Sequence, residues 1–218
     1  MVAQIMDITC FTVGPFAENT YLLAEKGQAL IIDPGFSSQN EFNELRSVLE
    51  EQDLTLLAVL LTHAHVDHVM GLPYVLSHFE VPVYLSDKDR YLWDNFSSQA
   101  AMFGFQVKGF DFNPRSLPIT EDWAIGPFEF DVRYTPGHAP DHLSLYHAKS
   151  GSLIAGDALF KEGVGRTDLY KGDMNLLKES IREQLYVLPD ETRVYSGHGP
   201  ETTIGHEKES NPFVKLEA

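Results

Sequence analysis

One cysteine, Cys10, is all that the 218 residues offer. An intrachain disulfide framework and a thiolate-based metal cage are thereby excluded, and the thiol reads as a small buried or half-buried side chain in the first strand. Basic residues are also scarce: 16 Lys and Arg stand against 32 Asp and Glu, a formal net charge of -16, with no basic patch among acids spread along the chain. Such a surface repels phosphate backbones and anionic bilayers, so neither nucleic acid nor membrane is expected as a partner. No segment holds about eighteen uninterrupted apolar residues, and the opening MVAQIMDITCFTVG lacks the basic flank and clean apolar stretch of a signal peptide. The expected compartment is the cytoplasm. Long linkers, low-complexity stretches and a regular repeat are missing too, and 43% hydrophobic composition suffices for one core, so a single domain over 1–218 is expected.

What is present is a succession of short apolar runs ended by turn residues. Strands are predicted at Ile5 to Val13, Thr20 to Ala24 and Gln28 to Ile32, the last stopped by Asp33-Pro34-Gly35. Ser38 and Glu41 have the spacing of a capping box, and Phe42, Leu45, Val48 and Leu49 place an apolar stripe on a helix over 39–52. The run LTLLAVLL predicts a strand buried on both faces. Beyond it come a short helix over Gly71 to Phe79, a strand at 81–85, a Ser86-capped helix through Asp87 to Ala101, and loop with short edge strands to Trp123. Strands at 127–134, 142–147 and 152–154 follow, then a helix from Met174 to Leu185 with Leu176, Leu177, Ile181 and Leu185 on one side, and a strand at 193–195. Two sheets packed face to face with helices outside, an α+β, four-layer αββα sandwich, would bury these runs and leave polar triplets at the strand ends.

Those triplets carry the chemistry. Directly behind LTLLAVLL stands Thr62-His63-Ala64-His65-Val66-Asp67-His68, three imidazoles and a carboxylate within six positions. Neutral imidazole and carboxylate are the usual ligands of a borderline metal such as zinc, which gives crowded polar side chains a partner that packing cannot. In an extended segment His63, His65 and Asp67 share period two, so His68 is expected to point elsewhere. Thr135-Pro136-Gly137-His138, Gly156-Asp157 and Ser196-Gly197-His198-Gly199 repeat the arrangement: a strand ends and a ligand-capable residue sits beside glycine. Seven such side chains can serve two metals. His78, His142, His147 and His206 are read as ordinary polar or half-buried residues.

In motif order, Asn19-Thr20, Asp33-Pro34-Gly35, THAHVDH, TPGH, GD, GRTD and GHG, the chain resembles the metallo-beta-lactamase superfamily from about Asn19 to Phe213, and within it the hydroxyacylglutathione hydrolase (glyoxalase II) branch, in a compact form without the C-terminal helical domain. The resemblance implies the metallo-beta-lactamase-like fold, with one metal on His63, His65 and His138, a second on Asp67, His68 and His198, and Asp157 bridging both. The ions implied are two divalent cations, zinc first, with iron or manganese as alternatives. Asp33 matches an acid that supports the first histidine motif, against its plain reading as an Asp-Pro turn. Arg166 occupies the place of a basic glutathione contact, against its plain reading as an ion pair with Asp168, which itself replaces a family tyrosine.

The activity implied is hydrolysis of a small-molecule thioester such as S-D-lactoylglutathione by a hydroxide bridging the metals, which Asp67 and Asp157 hold and orient. An aspartate in the bridging role weighs against a lactam hydrolase. The alternatives are a mononuclear iron persulfide dioxygenase using His63, His138 and Asp157, a phosphodiesterase-type hydrolase, and a metal-binding protein without turnover.

Overall fold

A computed structural model describes residues 6–214, and the chain divides into two compact units, one ending at Leu117 and the other starting at Pro118. In the first, β1 (Asp7–Val13), β2 (Glu18–Glu25), β3 (Gln28–Ile32), β4 (Thr55–Leu60), β5 (Val83–Leu85) and β6 (Arg115–Ser116) form a sheet in sequence order. β1 to β3 pair antiparallel, while β3 to β6 run parallel. The parallel half fixes the place of the site. Because Ile32 faces Leu60 in register, Asp33 and the Leu61–His65 segment leave neighbouring strands at one end of the sheet. β4 is buried as its apolar run predicts, with Ala58, Val59 and Leu60 fully covered. Of the predicted first strand, Ile5 lies outside the described residues, and Cys10 is exposed because β1 is the outer strand of the sheet.

The helices of this unit follow the sequence unevenly. α1 (Gln39–Glu51) starts at the predicted capping box: Ser38 Oγ accepts from Glu41 N at 3.3 Å and the Glu41 carboxylate accepts from Ser38 N at 3.1 Å. It buries Phe42, Leu45 and Leu49, as the apolar stripe requires. α2 (Val66–Val69) and α3 (Leu72–Leu76) are short. The predicted helix after Ser86 is two pieces, α4 (Tyr91–Asp94) and α5 (Phe96–Met102). Ser86 caps a turn instead, its hydroxyl accepting from Lys88 N at 3.2 Å, and Asp89 accepts from the backbone N–H of Tyr91, the first residue of α4, at 2.8 Å.

In the second unit, β7 (Thr120–Ile125), β8 (Phe128–Tyr134), β9 (Leu143–His147), β10 (Ser152–Gly156), β13 (Arg193–Ser196) and β14 (Thr202–Thr203) form a sheet of order β14-β13-β10-β9-β8-β7. β11 (Leu159–Phe160) and β12 (Gly163–Val164) make a small hairpin. β8 and β9 are antiparallel, β9 and β10 antiparallel, and β10 and β13 parallel, so β8, β10 and β13 all end on the same side. Those three ends carry the TPGH, GD and GHG motifs. α6 (Met174–Ser180), capped by Asp173, runs on as a π-helical turn over Ile181–Leu185 and buries Leu177, Ile181 and Leu185 against Leu153, Ala155 and Val194. Leu176 is exposed, since at about 100° per residue it points well away from the centre of the stripe made by Leu177, Ile181 and Leu185. α7 (Ile204–Ser210) carries too few apolar residues to be seen by periodicity.

No helix among the described residues is long and apolar enough to cross a membrane. Because the α1 cap satisfies donors that the helix cannot, Ser38→Ala should cost roughly 1 kcal/mol in urea unfolding and leave metal content unchanged.

Candidate metal centre

In the first unit the extended segment ends at His65, which precedes α2, so Asp67 and His68 lie on a helical turn. The predicted period-two set therefore stops at His65. Helical geometry brings Asp67 and His68 together instead, with Oδ2 and Nε2 4.0 Å apart. Ligand atoms of His63 and His65 also converge within 4.8 Å of one another, their rings near perpendicular with centroids 4.8 Å apart. His63 and His68 are fully buried.

Asp33 organises this cluster. Its Oδ1 accepts from Thr62 N at 2.7 Å, and its Oδ2 accepts from Thr62 Oγ1 at 2.6 Å and lies 3.0 Å from His68 Nδ1. A carboxylate oxygen accepts, so the His68 proton sits on Nδ1 and its Nε2 offers a lone pair. Thr62 gives its proton to Asp33, so its oxygen accepts from His63 Nδ1 at 3.0 Å, and His63 likewise presents Nε2. Asp33 does this from a left-handed backbone, φ 49°, a conformation that costs roughly 1–3 kcal/mol away from glycine.

Glu18 is a residue that sequence reasoning missed. It is buried, accepts from Thr20 Oγ1 at 2.8 Å, and places Oε1 3.8 Å from His68 Nδ1. Burial pushes its carboxyl well above the usual carboxylate range, against the pull of His68. Gly35 exists to admit it: a Cβ there would collide with the Glu18 carboxylate and the Asp67 carbonyl.

In the second unit Asp157 Oδ2 lies 3.5 Å from His138 Nε2 and 3.5 Å from His198 Nε2. His138 Nδ1 donates to the Arg166 carbonyl at 2.7 Å, so its Nε2 carries no proton. A bare imidazole nitrogen facing a carboxylate oxygen at this distance is repulsive unless a cation lies between them, which is what a metal supplies. Gly165 lets the Arg166 carbonyl reach the ring, since a Cβ would strike Asp157 O and the His138 imidazole. The donor set, five imidazoles and two carboxylates, fits a binuclear divalent-metal centre in number and kind.

Arg166 makes contacts through both its side chain and its backbone. Its Nε and Nη2 donate to Asp168 at 2.6 and 2.7 Å, so the plain ion-pair reading describes the side chain, while its carbonyl orients His138. The hydrogen bond and charge of Arg166 lower Asp168 to about 2, so the pair is complete above the usual carboxylate range and is released only as pH falls toward 2. Of the remaining histidines, His206 faces Glu162 at 3.0 Å and His147 meets Ser150 at 2.7 Å, consistent with ordinary roles. His142 is buried against Asp157 and is taken up below.

A model of the Metallo-beta-lactamase superfamily matches residues 13–198. The chain is 37% identical to the hydroxyacylglutathione hydrolase GloC of Haemophilus influenzae, over 96% of its own length and 98% of the relative's. Among solved structures it is similar to the BLEG-1 B3 metallo-beta-lactamase, with TM-score 0.87 and 38% identity over 95% of this chain and 99% of that one. It is also similar to TTHA1623 in a di-iron-bound form, with TM-score 0.82 and 36% identity over 94% and 99%. These likenesses show the expected fold class, an α+β metallo-beta-lactamase-like fold of mixed sheets flanked by helices.

Asp33→Asn would put an NH2 donor in place of one of the two carboxylate oxygens that now face three donors. It should weaken zinc binding, read by titration against a chromophoric chelator, by about ten- to a hundred-fold. Unchanged affinity would remove Asp33 from the support of His63 and His68.

Proposed function

The chain belongs to the metallo-beta-lactamase superfamily, a metal-dependent hydrolase with a binuclear divalent-metal centre, and from that premise we propose that it hydrolyses glutathione thioesters such as S-D-lactoylglutathione. The observation that carries this reading is the Asp157 carboxylate, equidistant from His138 and His198 and so placed to serve two ions at once. In it His63, His65 and His138 hold one ion, and Asp67, His68 and His198 the other. The likeness to GloC over nearly both full lengths supports the substrate class. The family match spans residues on both sides of Leu117, which supports treating the chain as one domain. The single cysteine supports a cytoplasmic location.

When bound, two divalent ions supply Lewis acidity toward the thioester carbonyl and a water acidified to near neutrality. The protein's own part is orientation. Asp33 and Thr62 hold His63 and His68 in the tautomer that can ligate, and the Arg166 carbonyl does the same for His138. Asp67 and Asp157 bring the negative charge that balances the ions and directs the nucleophile. A thiolate leaves readily, so none of the chain's acids is required to protonate it.

Arg166 is proposed to meet a substrate carboxylate. Asp168 engages its Nε–Nη2 edge, which leaves the Nη1 side of the guanidinium for a second anion. The side chain is more than half exposed, so the contact is worth what an exposed ion pair is worth.

A second reading, lactam hydrolysis, is favoured by the likeness to BLEG-1. Purified protein assayed with S-D-lactoylglutathione and with a cephalosporin separates the two. Thioester cleavage that is abolished by a chelator and restored by zinc is expected, whereas cephalosporin turnover alone would establish the second reading. Oxygen consumption on glutathione persulfide with a single iron would instead identify a dioxygenase. Arg166→Ala should raise KM for the charged thioester about two- to five-fold, the size of an exposed pair, with little change in kcat. Asp168→Asn, which releases the guanidinium, should lower it. Equal losses for charged and neutral thioesters in Arg166→Ala would leave Arg166 a structural role only.

A further inference from the structure

We propose that His142, assigned to no ligand or catalytic role, is the positioning residue that sets the Asp157 carboxylate. The inference rests on the reading of Asp157 as the carboxylate shared by two ions.

His142 sits just before β9, is fully buried, and has both ring nitrogens engaged. Its Nε2 is 3.0 Å from Asp157 N, and its Nδ1 is 2.8 Å from Thr135 Oγ1. A backbone N–H can only donate, so Nε2 bears no proton and the ring is the neutral Nδ1–H tautomer. That proton goes to Thr135, whose hydroxyl lies 2.9 Å from Ser144 Oγ. Ser144 in turn donates to the Ala155 carbonyl at 3.3 Å. Proton direction is thus fixed along the whole chain from His142 to β10.

The two ends of this chain grip β10 on either side of Gly156. Gly156 has φ 52° and follows a register shift after Ile154, so the strand bends where it hands over to Asp157. A bend of this kind takes the Asp157 N–H out of an ordinary ladder, and His142 supplies the acceptor that a neighbouring strand would otherwise give. Through Thr135 the same imidazole is tied to the segment that carries His138, with Thr135 N donating to His142 O at 3.0 Å and the His138 ring edge-on at 6.1 Å. One side chain therefore sets Asp157 relative to His138, the separation on which a shared ion depends. A buried histidine that merely filled the core would need neither this tautomer nor this partner.

Two substitutions separate the roles. Glutamine carries its amide oxygen about as far from the backbone as Nε2, whereas asparagine reaches only as far as Nδ1. His142→Gln keeps an acceptor for Asp157 N–H, and His142→Asn removes it. In a zinc titration against a chromophoric chelator, His142→Asn should weaken binding by about ten- to a hundred-fold and His142→Gln by no more than about three-fold. Wild-type affinity in His142→Asn, or equal losses in both variants, would overturn the proposal. The unsubstituted protein gives a second test that does not depend on either variant folding: long-range proton–nitrogen NMR should show His142 protonated at Nδ1 and bare at Nε2, and an Nε2–H tautomer would overturn it. Asp157→Asn in the same titration keeps the two ideas apart. If it binds zinc like the wild type, the reading of Asp157 itself fails; if it loses zinc while His142→Asn does not, only the role of His142 fails.

Discussion

An imidazole can ligate a metal only through a nitrogen that carries no proton, and at neutral pH one of its two nitrogens always carries one. Each ligating ring therefore needs an acceptor on its far side, and most of the polar architecture described above answers that need. His63 gives its proton to Thr62, His68 to Asp33 and His138 to the Arg166 carbonyl. These are buried groups, for which an unmade hydrogen bond costs about 1–3 kcal/mol, so the acceptors hold the rings in place as well as choosing the tautomer. Binding and folding are thus coupled through the same bonds.

Strand direction makes this arrangement possible. In the first unit parallel β3 and β4 end together, which brings the Asp33 carboxylate to the Thr62 backbone and hydroxyl. In the second, β8, β10 and β13 end on one side and deliver His138, Asp157 and His198 from three separate strands. Ligands at strand ends draw on the rigidity of the sheet while keeping the freedom of the turn that follows. The accommodations lie in those turns: a left-handed aspartate at 33, and glycines at 35 and 165 where a side chain would strike the neighbouring ligand loops. Chemistry follows from that placement, since the Asp157 carboxylate lies between two imidazole nitrogens, that of His138 without a proton, and so favours a cation.

Much of this was legible in the residues. The cluster HAHVDH behind an apolar strand, and later His and Asp residues each beside a glycine at a strand end, point to a metal centre from the sequence itself. The capping box and the doubly buried β4 were legible for the same reason, being written in local spacing. What escaped is what local spacing does not carry. Glu18 looks like a surface acid until Gly35 is seen to make room for it. Arg166 draws notice in the sequence by its charge, whereas its main-chain carbonyl, which any residue would possess, is the group that meets His138. His142 reads as ordinary in the sequence because its partner is a backbone N–H fifteen residues away. Asp67 reads as part of an extended segment because period two fits His63, His65 and Asp67, whereas the structure puts it on a helical turn with His68.

The account stands on Asp157 serving two ions at once. Anomalous diffraction at the metal edge, from crystals of the metal-loaded protein, tests this directly. Two peaks about 3.5–4 Å apart, with the Asp157 carboxylate touching both, are predicted. A single peak, or two peaks with Asp157 bound to neither, would contradict it.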